Sequence, residues 1–241
     1  MRILLLPTCL VDQCWPQVGL GAANLLERLG CEVVVDPAAT CCGQPAFNSG
    51  HLRSARAQAS QWITSFERSR ADYVVLPSGS CGAMVHHFDG LFDASDPWHA
   101  RASSMASVTV ELCSFVVRIL GVTDVGAEFS GRVGWHDACH GLRDLGIRSE
   151  PRQLLAAVRG AQYVEIPEAD SCCGFGGTFA VKYPEISVAI ADRKLDAIRA
   201  AEIDLLVSGD ASCLMHIEGR MRRVGLNVRV MHIAELLGVS A

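Results

Sequence analysis

The segment Cys41-Cys42-Gly43-Gln44-Pro45 carries two adjacent cysteines followed by a glycine, and Cys172-Cys173-Gly174 repeats this pattern in the second half of the chain. One further cysteine precedes each pair and another follows it. The equivalent cysteines lie 130 to 132 residues apart: Cys9 with Cys139, Cys41 with Cys172, Cys42 with Cys173, and Cys81 with Cys213. Self-similarity at a fixed period indicates a duplicated structural unit. The duplicated feature is a set of four cysteines, which predicts two halves with one cysteine site each.

Short aliphatic runs lie just before the cysteines and are typical of buried strands. The predicted strands cover residues 3–6, 32–35 and 73–76 in the first half, and 133–135, 163–166 and 205–207 in the second. Apolar residues at the i+3 and i+4 spacing of a helix lie between them. The predicted helices cover residues 51–70, 151–159 and 185–200. Alternating strands and helices predict parallel sheets that are covered on both faces.

The predicted fold class is therefore α/β, with two tandem duplicated parallel-sheet Rossmann-like halves related by a pseudo-two-fold axis. The expected domains are residues 1–125 and residues 126–241. Ligands of open parallel sheets bind beyond the carboxyl ends of the strands. The eight repeated cysteines all follow predicted strands, so we expect four thiolates to meet at that edge in each half. We also expect the two edges to face a shared crevice.

Four thiolates suit either a 4Fe–4S cluster or a structural zinc ion. Two adjacent cysteines reach one small ion only with a strained backbone, whereas a cluster offers separate iron corners. The glycine after each pair permits positive φ and a close backbone approach to the cluster sulfides. The sequence thus favours one or two iron–sulfur clusters of the 4Fe–4S type. The predicted ligands are Cys9, Cys41, Cys42 and Cys81 in the first half, and Cys139, Cys172, Cys173 and Cys213 in the second.

A zinc-stabilised interaction module, in which Cys139, His140 and the adjacent pairs form closed sites, stays open as an alternative. The 241 residues carry a net charge of −5 and no run of lysine or arginine, which argues against a nucleic-acid partner. The aliphatic stretches are much shorter than the roughly 18 residues of a membrane span, so we expect a cytoplasmic chain without one.

The chain has eleven cysteines, and an odd number in a reducing compartment indicates metal or redox chemistry rather than a disulfide framework. Three of them, Cys14, Cys31 and Cys113, have no partner in the repeat. We predict that these three serve in structural packing, with Cys113 inside an apolar helix over residues 111–120.

The twofold pattern of Cys, Cys-Cys-Gly and Cys resembles the cysteine-rich Cys-Cys-Gly domain family. Members of this family occur in heterodisulfide reductases, glycolate oxidases and lactate-utilisation systems. Three local strings look most like the lactate-utilisation members. They are Pro77-Ser78-Gly79-Ser80-Cys81, His136-Asp137-Ala138-Cys139-His140 and residues 41–48. The resemblance covers nearly the whole chain, without an added ferredoxin module.

The resemblance implies an iron–sulfur electron-transfer subunit of a multisubunit oxidoreductase that oxidises L-lactate to pyruvate. It also implies partner subunits, one of them with ferredoxin-type clusters. A subunit of a glycolate-oxidase-like or heterodisulfide-reductase-like complex is the alternative. The residues themselves support electron transfer, and no catalytic residue is assigned. Whether the chain is itself an enzyme stays open.

The chain departs from the fullest family pattern, which ends in Cys-x-x-Cys. Ser78 and Asp210 stand where that pattern has the first cysteine of the pair. Four cysteines per half therefore remain, which favours ordinary cubane clusters over disulfide-reductase chemistry. Asp210 is either a carboxylate ligand or, as we favour, a solvated or hydrogen-bonding loop residue.

Histidines flank the first cysteine of the second half. His136 and His140 either donate hydrogen bonds to a cluster and act on a proton or substrate, or they have a capping or core role. Arg143 lies one turn further on. The glycine-rich segment 174–178 lacks a phosphate-loop lysine, and its glycine spacing does not match a dinucleotide fingerprint. We interpret it as a tight loop around a cluster.

Overall fold

The structure is a computed structural model, and it describes residues 1–238. Within these residues the strands are β1 (Arg2–Leu5), β2 (Glu32–Val34), β3 (Tyr73–Leu76), β4 (Thr109–Glu111), β5 (Glu128–Trp135), β6 (Arg159–Val164), β7 (Leu205–Ser208) and β8 (Arg229–His232). The helices of the first half are α1 (Cys9–Cys14), α2 (Pro16–Arg28), α3 (Gln44–Asn48), α4 (Leu52–Ser69), α5 (Gly79–Val85), α6 (Pro97–Ser107) and α7 (Leu112–Ser114). Those of the second half are α8 (Cys139–Arg143), α9 (Ser149–Ala156), α10 (Thr178–Lys182), α11 (Pro184–Ala201), α12 (Ala211–Val224) and α13 (Ile233–Gly238).

The strands form two four-stranded sheets in which every pairing is parallel. The first sheet has the order β2-β1-β3-β4, and the second has the equivalent order β6-β5-β7-β8. The central strands are aliphatic because helices cover both of their faces. In β7, for example, all four residues are buried. The predicted α/β fold with two tandem parallel-sheet halves is confirmed.

The fourth strand of each sheet, β4 and β8, was not predicted from the sequence. Each is three or four residues long and lies at the edge of its sheet. The predicted helix over residues 111–120 is wrong at its start and in its type. Glu111 ends β4 and accepts hydrogen bonds from the backbone N–H groups of Cys113 and Ser114, so the helical segment begins after it. A π-helix, Phe115–Ile119, then follows the short α7.

The two halves contact each other reciprocally, as a pseudo-two-fold axis requires. Helix α5 of the first half contacts α8 of the second, and α1 contacts α12, which is the same pair of elements with the halves exchanged. The helix after each fourth strand also crosses to the other half, since α13 packs on α2 and α7 packs on α9. The boundary between residues 125 and 126 stays a prediction. Within the described residues, no helix has both the length and the apolar character needed to cross a membrane.

The contact between α2 and α13 depends on glycine. A Cβ atom placed on Gly21 would lie 2.4 Å from the carbonyl oxygen of Ala234, and one placed on Gly238 would lie 2.3 Å from the oxygen of Gly21. Such backbone contacts cannot be relieved by turning a side chain. The two helices are therefore close enough that neither position accepts a larger residue without a shift of backbone.

We expect Gly21→Ala to lower the free energy of unfolding by about 1–3 kcal/mol, the usual cost of forcing an extra methyl group into a packed contact. The matched control is Gly219→Ala in the interior of α12, because a Cβ there meets no atom within 4 Å. That variant should gain about 0.5–1 kcal/mol from the lower chain entropy of alanine. Denaturant unfolding measures both, and equal effects at the two positions would contradict the packing argument.

Candidate metal centre

The four repeated cysteines of the first half meet at the carboxyl edge of the first sheet. Cys9 begins α1 just after β1, Cys41 and Cys42 lie in the loop after β2, and Cys81 lies in the first turn of α5 after β3. The Sγ atoms of Cys42 and Cys81 are 3.4 Å apart. Cys41 is in hydrogen-bonding contact with both Cys9 and Cys42, so the four thiols form one continuous cluster.

The second half repeats this arrangement on equivalent elements. Cys139 begins α8, Cys172 and Cys173 follow β6, and Cys213 lies in the first turn of α12. The Sγ atoms of Cys173 and Cys213 are 3.1 Å apart, and Cys172 contacts both Cys139 and Cys173. Each predicted set of four is thus brought together within its own half.

The glycine after each pair adopts the left-handed conformation that the sequence predicts. Gly43 has φ of 88° and Gly174 has φ of 93°. Their backbone N–H groups donate to the Sγ atoms of Cys41 and Cys172, over 3.4 Å and 3.3 Å. A side chain at Gly174 would place Cβ 2.5 Å from the carbonyl oxygen of Ser187. Backbone donors therefore already point at the sulfur atoms, as sites for anionic sulfur require.

The thiols of each site share their protons unequally. Hydrogen bonds from Cys42 and Cys9 hold the pKa of Cys41 far below its ordinary value, and those from Cys139 and Cys173 do the same for the pKa of Cys172. The contact with Cys41 raises the pKa of Cys9, and the contact with Cys172 raises that of Cys139, with burial adding to both. Cys41 and Cys172, each hydrogen-bonded by two neighbouring cysteines, are thus prepared as thiolate ligands for a metal centre.

Ser78 and Asp210 occupy equivalent N-cap positions, before α5 and α12. The hydroxyl of Ser78 accepts from the backbone N–H of Cys81, over 3.2 Å, and Oδ1 of Asp210 accepts from the N–H of Ser212. Oδ2 of Asp210 reaches the other half, where it accepts from the N–H of Ser80, over 2.9 Å, and from the Ser78 hydroxyl. Asp210 is 2% exposed, so the favoured hydrogen-bonding role agrees with this geometry, while the idea of a solvated residue is wrong.

The two histidines beside Cys139 differ in their surroundings. His140 is half-buried, and its Nδ1 lies 2.5 Å from a carboxylate oxygen of Asp144. His136 is 1% exposed, and neither ring nitrogen has a hydrogen-bond partner. One nitrogen of His136 lies within 4.8 Å of the Sγ atoms of Cys173 and Cys213, which are equally close to each other. Burial lowers the pKa of His136 to about 3, so its imidazole is neutral.

Two polar residues beside the second site were missed at the sequence level. Lys194 is fully buried in α11, and its Nζ donates to the carbonyl oxygens of Glu168 and Ala169, over 2.6 Å and 3.2 Å. His216 in α12 shares a hydrogen bond of 3.2 Å with the Ser187 hydroxyl. Comparing the two halves position by position would have found them, because the equivalent residues of the first half are apolar.

Of the cysteines outside the repeat, Cys31 and Cys113 are buried in the main apolar core, in agreement with a packing role. The prediction for Cys14 is wrong, because its thiol is exposed at the end of α1. Arg143, which follows Cys139 by one turn, is exposed, as are His86 and His87 after Cys81.

The side chains fit an iron–sulfur cluster in each half. The donor set of each half is four cysteine sulfurs. Backbone N–H groups donate to three of the eight, those of Cys41, Cys172 and Cys173, and His136 offers an unpartnered buried ring to the second site. The fold and the two cysteine sites together define a class, that of duplicated cysteine-rich α/β proteins suited to binding metal.

Comparison with known proteins agrees with that class. The family model of the cysteine-rich domain, CCG, matches residues 3–86 and again residues 133–218. The chain belongs to this cysteine-rich domain family, in the branch that contains lactate utilization protein A. It is 46% identical over 237 residues to the lactate utilization protein A of Geobacillus kaustophilus and to that of Bacillus cytotoxicus, with 98% of each chain covered. Among solved structures, a glutamate racemase of Bacillus anthracis aligns with 99% of this chain and 78% of its own, at 11% identity and a TM-score of 0.38.

A buried histidine where the halves meet makes stability depend on pH. His232, at the end of β8, is fully buried, and its Nδ1 accepts from the N–H of Ala234. Burial lowers the pKa of His232 to about 4, although Asp210 and the carbonyl groups of Gly209 and Pro77 oppose the shift. The unfolded chain takes up this proton near pH 6.5, and the folded chain only near pH 4. The resulting stability is complete above pH 6.5 and is lost as the pH falls toward 4.

Between pH 7 and pH 4, His232 should lower the free energy of unfolding by on the order of 3 kcal/mol. The variant His232→Gln should lack this part of the decrease. The prediction concerns the slope of the unfolding free energy against pH and does not depend on the stability of the variant at pH 7. The control is His87→Gln, which replaces an exposed histidine. Its unfolding free energy should change with pH as that of the unchanged chain does. Denaturant unfolding at a series of pH values measures the three slopes, and an unaltered slope in the His232 variant would refute the assignment.

Proposed function

We propose that this chain is an iron–sulfur electron-transfer subunit of a multisubunit oxidoreductase that oxidises L-lactate to pyruvate during lactate utilisation. The observation that carries the proposal is the pair of four-cysteine sites at equivalent strand ends, in a chain 46% identical to proteins named lactate utilization protein A. Cys9, Cys41, Cys42 and Cys81 would hold one 4Fe–4S cluster, and Cys139, Cys172, Cys173 and Cys213 the other. A bound cluster of this kind accepts and releases single electrons.

The residues of the chain would hold and shield these clusters. The thiolates bind the iron corners, and the N–H groups of Gly43 and Gly174 donate to two of the ligand sulfurs. Aliphatic strand residues lie behind Cys42 and Cys81, in one apolar cluster with them, and limit the access of water. The cap residues Ser78 and Asp210 hold the first turns of α5 and α12, and so fix the positions of Cys81 and Cys213.

Partner subunits form part of this proposal. Electrons must enter from the site of lactate oxidation and leave to an acceptor, and one partner is expected to carry ferredoxin-type clusters. The halves meet through α5, α8 and Asp210, so both cysteine sites lie along one seam. A partner that docks near this seam could exchange electrons with either site.

Metal analysis of anaerobically purified protein tests the proposal. We expect a brown protein with broad visible absorption, and with iron and acid-labile sulfide in equal amounts, about four of each per occupied site. A colourless protein with stoichiometric zinc and no labile sulfide would refute it. That outcome would instead support the zinc-stabilised interaction module, which could use His136, Cys173 and Cys213 as three of its ligands.

A further inference from the structure

The duplicated halves differ in the residues that surround their cysteine sites. Cys42 and Cys81 belong to an apolar cluster that includes Leu6, Ala55, Trp62 and Met84. The positions equivalent to these four, 130 to 132 residues later in the chain, are His136, Ser187, Lys194 and His216. Among the first-half residues, only the indole N–H of Trp62 is polar, and it carries no charge. The second site therefore has hydrogen-bond donors and a cation where the first has hydrocarbon.

His136 is the donor that stands nearest to the second site. Its ring is buried and has no partner in the protein, and one of its nitrogens lies within 4.8 Å of the Sγ atoms of Cys173 and Cys213. An N–H group left unpaired in the interior costs free energy, so this position is unfavourable unless the ring meets an acceptor. A cluster held by these cysteines presents thiolate and sulfide sulfur atoms that can accept the hydrogen bond.

Lys194 adds a buried positive charge behind the same cysteines. Its ammonium is fixed on the carbonyl oxygens of Glu168 and Ala169, shortly before Cys172 and Cys173 in the chain. The carbonyl oxygen of Ala169 also accepts from the N–H of Asp137, the residue after His136, so the ammonium is held between the loop that leads to Cys139 and the loop that leads to Cys172. At the equivalent place in α4 the first half has the side chain of Trp62.

Nearby carboxylates do not cancel this difference. Asp137 accepts two hydrogen bonds from the guanidinium of Arg152, at 3.0 Å and 2.8 Å, and one from the indole N–H of Trp135, and these donors offset part of its charge. Asp170 is exposed and screened by solvent. Asp210 lies between the sites, since it caps α12 of the second half and accepts from Ser80 beside Cys81. Its Oδ1 accepts within the second half and its Oδ2 accepts from the first, so its charge is not confined to the second site.

We infer that the two sites are unequal electron carriers, and that the cluster of the second half has the higher reduction potential because His136 and Lys194 stabilise its reduced form. This inference rests on the proposed iron–sulfur function. Reduction adds one electron and hence one negative charge to a cluster, without making or breaking a covalent bond. Donors and cations near the sulfur atoms favour the added charge, whereas an apolar wall does not. Under partial reduction the electron therefore resides in the second half.

The experiment is a reductive titration of the anaerobic, cluster-loaded full chain with dithionite, followed by electron paramagnetic resonance. We expect two one-electron steps whose equilibrium constants for reduction differ at least tenfold, which is 59 mV for a one-electron couple. Cys173→Ser leaves only the first site intact and should retain the step with the lower reduction potential. Cys42→Ser leaves only the second site intact and should retain the step with the higher potential.

Substitutions then test the two residues. Lys194→Met should lower the upper potential and leave the lower unchanged, while Lys194→Arg, which keeps the charge, should preserve both. His136→Leu introduces the first-half residue and should also lower the upper step, whereas His136→Gln keeps an N–H donor and should restore part of the shift. Lys182 is the only other lysine and is exposed, so Lys182→Met is the matched control. If Lys194→Met does not fold, the two His136 variants and the unchanged chain decide the matter.

The results separate this inference from the proposed function. Two loaded clusters with coincident potentials, or an upper step that belongs to the first site, would overturn the inference and leave the iron–sulfur function standing. Potentials that do not respond to His136→Leu would overturn the role given to that residue. Protein without iron or labile sulfide would refute the proposed function, and this inference with it.

Discussion

Replacing Cys42 or Cys173 by serine is expected to remove about four iron atoms per chain, half of the full content, because the cluster loses a buried thiolate from its set of four ligands. Both cysteines are buried at 2–3% exposure, and their Sγ atoms lie 3.4 Å and 3.1 Å from those of Cys81 and Cys213. Serine is a poor replacement, since its hydroxyl ionises far less readily than a thiol. Iron and acid-labile sulfide should fall together.

The controls for this prediction are the buried cysteines outside the repeat. Cys31→Ser and Cys113→Ser place the same hydroxyl in the apolar core, so they carry a similar packing cost without touching a cysteine site. Both should retain the full iron content per folded chain. An equal loss of iron from these variants would show that the content follows stability rather than ligation. The assignment of the eight cysteines would then fail.

The two sites are independent in this scheme, so the double variant Cys42→Ser with Cys173→Ser should contain no iron. Each set of four lies within one half and uses the strand ends of one sheet. The seam between the halves contains Asp210 and the backbone contact of Gly79 with Gly141, and neither supplies a thiolate. A single variant that lost all the iron would instead indicate a cluster shared between the halves.

The sequence predicts the parts of the structure that local patterns determine. The strand over residues 73–76 is found with those bounds, because Tyr73-Val74-Val75-Leu76 is aliphatic or aromatic throughout and is followed by the proline of the next loop. The grouping of the cysteines follows from topology, since parallel strands place their carboxyl ends at one edge. The positive φ of Gly43 and Gly174 follows from their place after the cysteine pairs.

The parts that depend on contacts between distant segments could not be predicted in this way. A lysine in a helix is ordinarily expected at the surface, and Lys194 is buried only because two carbonyl groups of another loop accept its hydrogen bonds. The crossing of α13 onto α2 depends on how the halves pack and on two glycines that look ordinary in the sequence. Cys14 was misplaced because the short α1 buries Val11 and turns Cys14 outward.

The purified, cluster-loaded chain alone is expected to show no lactate oxidation above background with an artificial electron acceptor, and activity should emerge only with its partner subunits. Removing the hydrogens of a 2-hydroxy acid requires a group that takes a hydride or an electron pair, and cofactors supply that chemistry. Single-electron clusters do not do so unaided. Beside the second site, His140 contacts Asp144 and His136 is buried next to the Sγ atoms of Cys173 and Cys213, so neither is placed as a base for a substrate. The measurement compares the isolated chain with the co-purified complex at equal iron content. Electron transfer from a chemical reductant is the control for intact clusters, because the isolated chain should still perform it.

Steady turnover of lactate by the isolated chain would contradict the prediction. It would show that an open iron site does the chemistry, and the segment from His136 to Arg143 would become the first place to seek its catalytic residues.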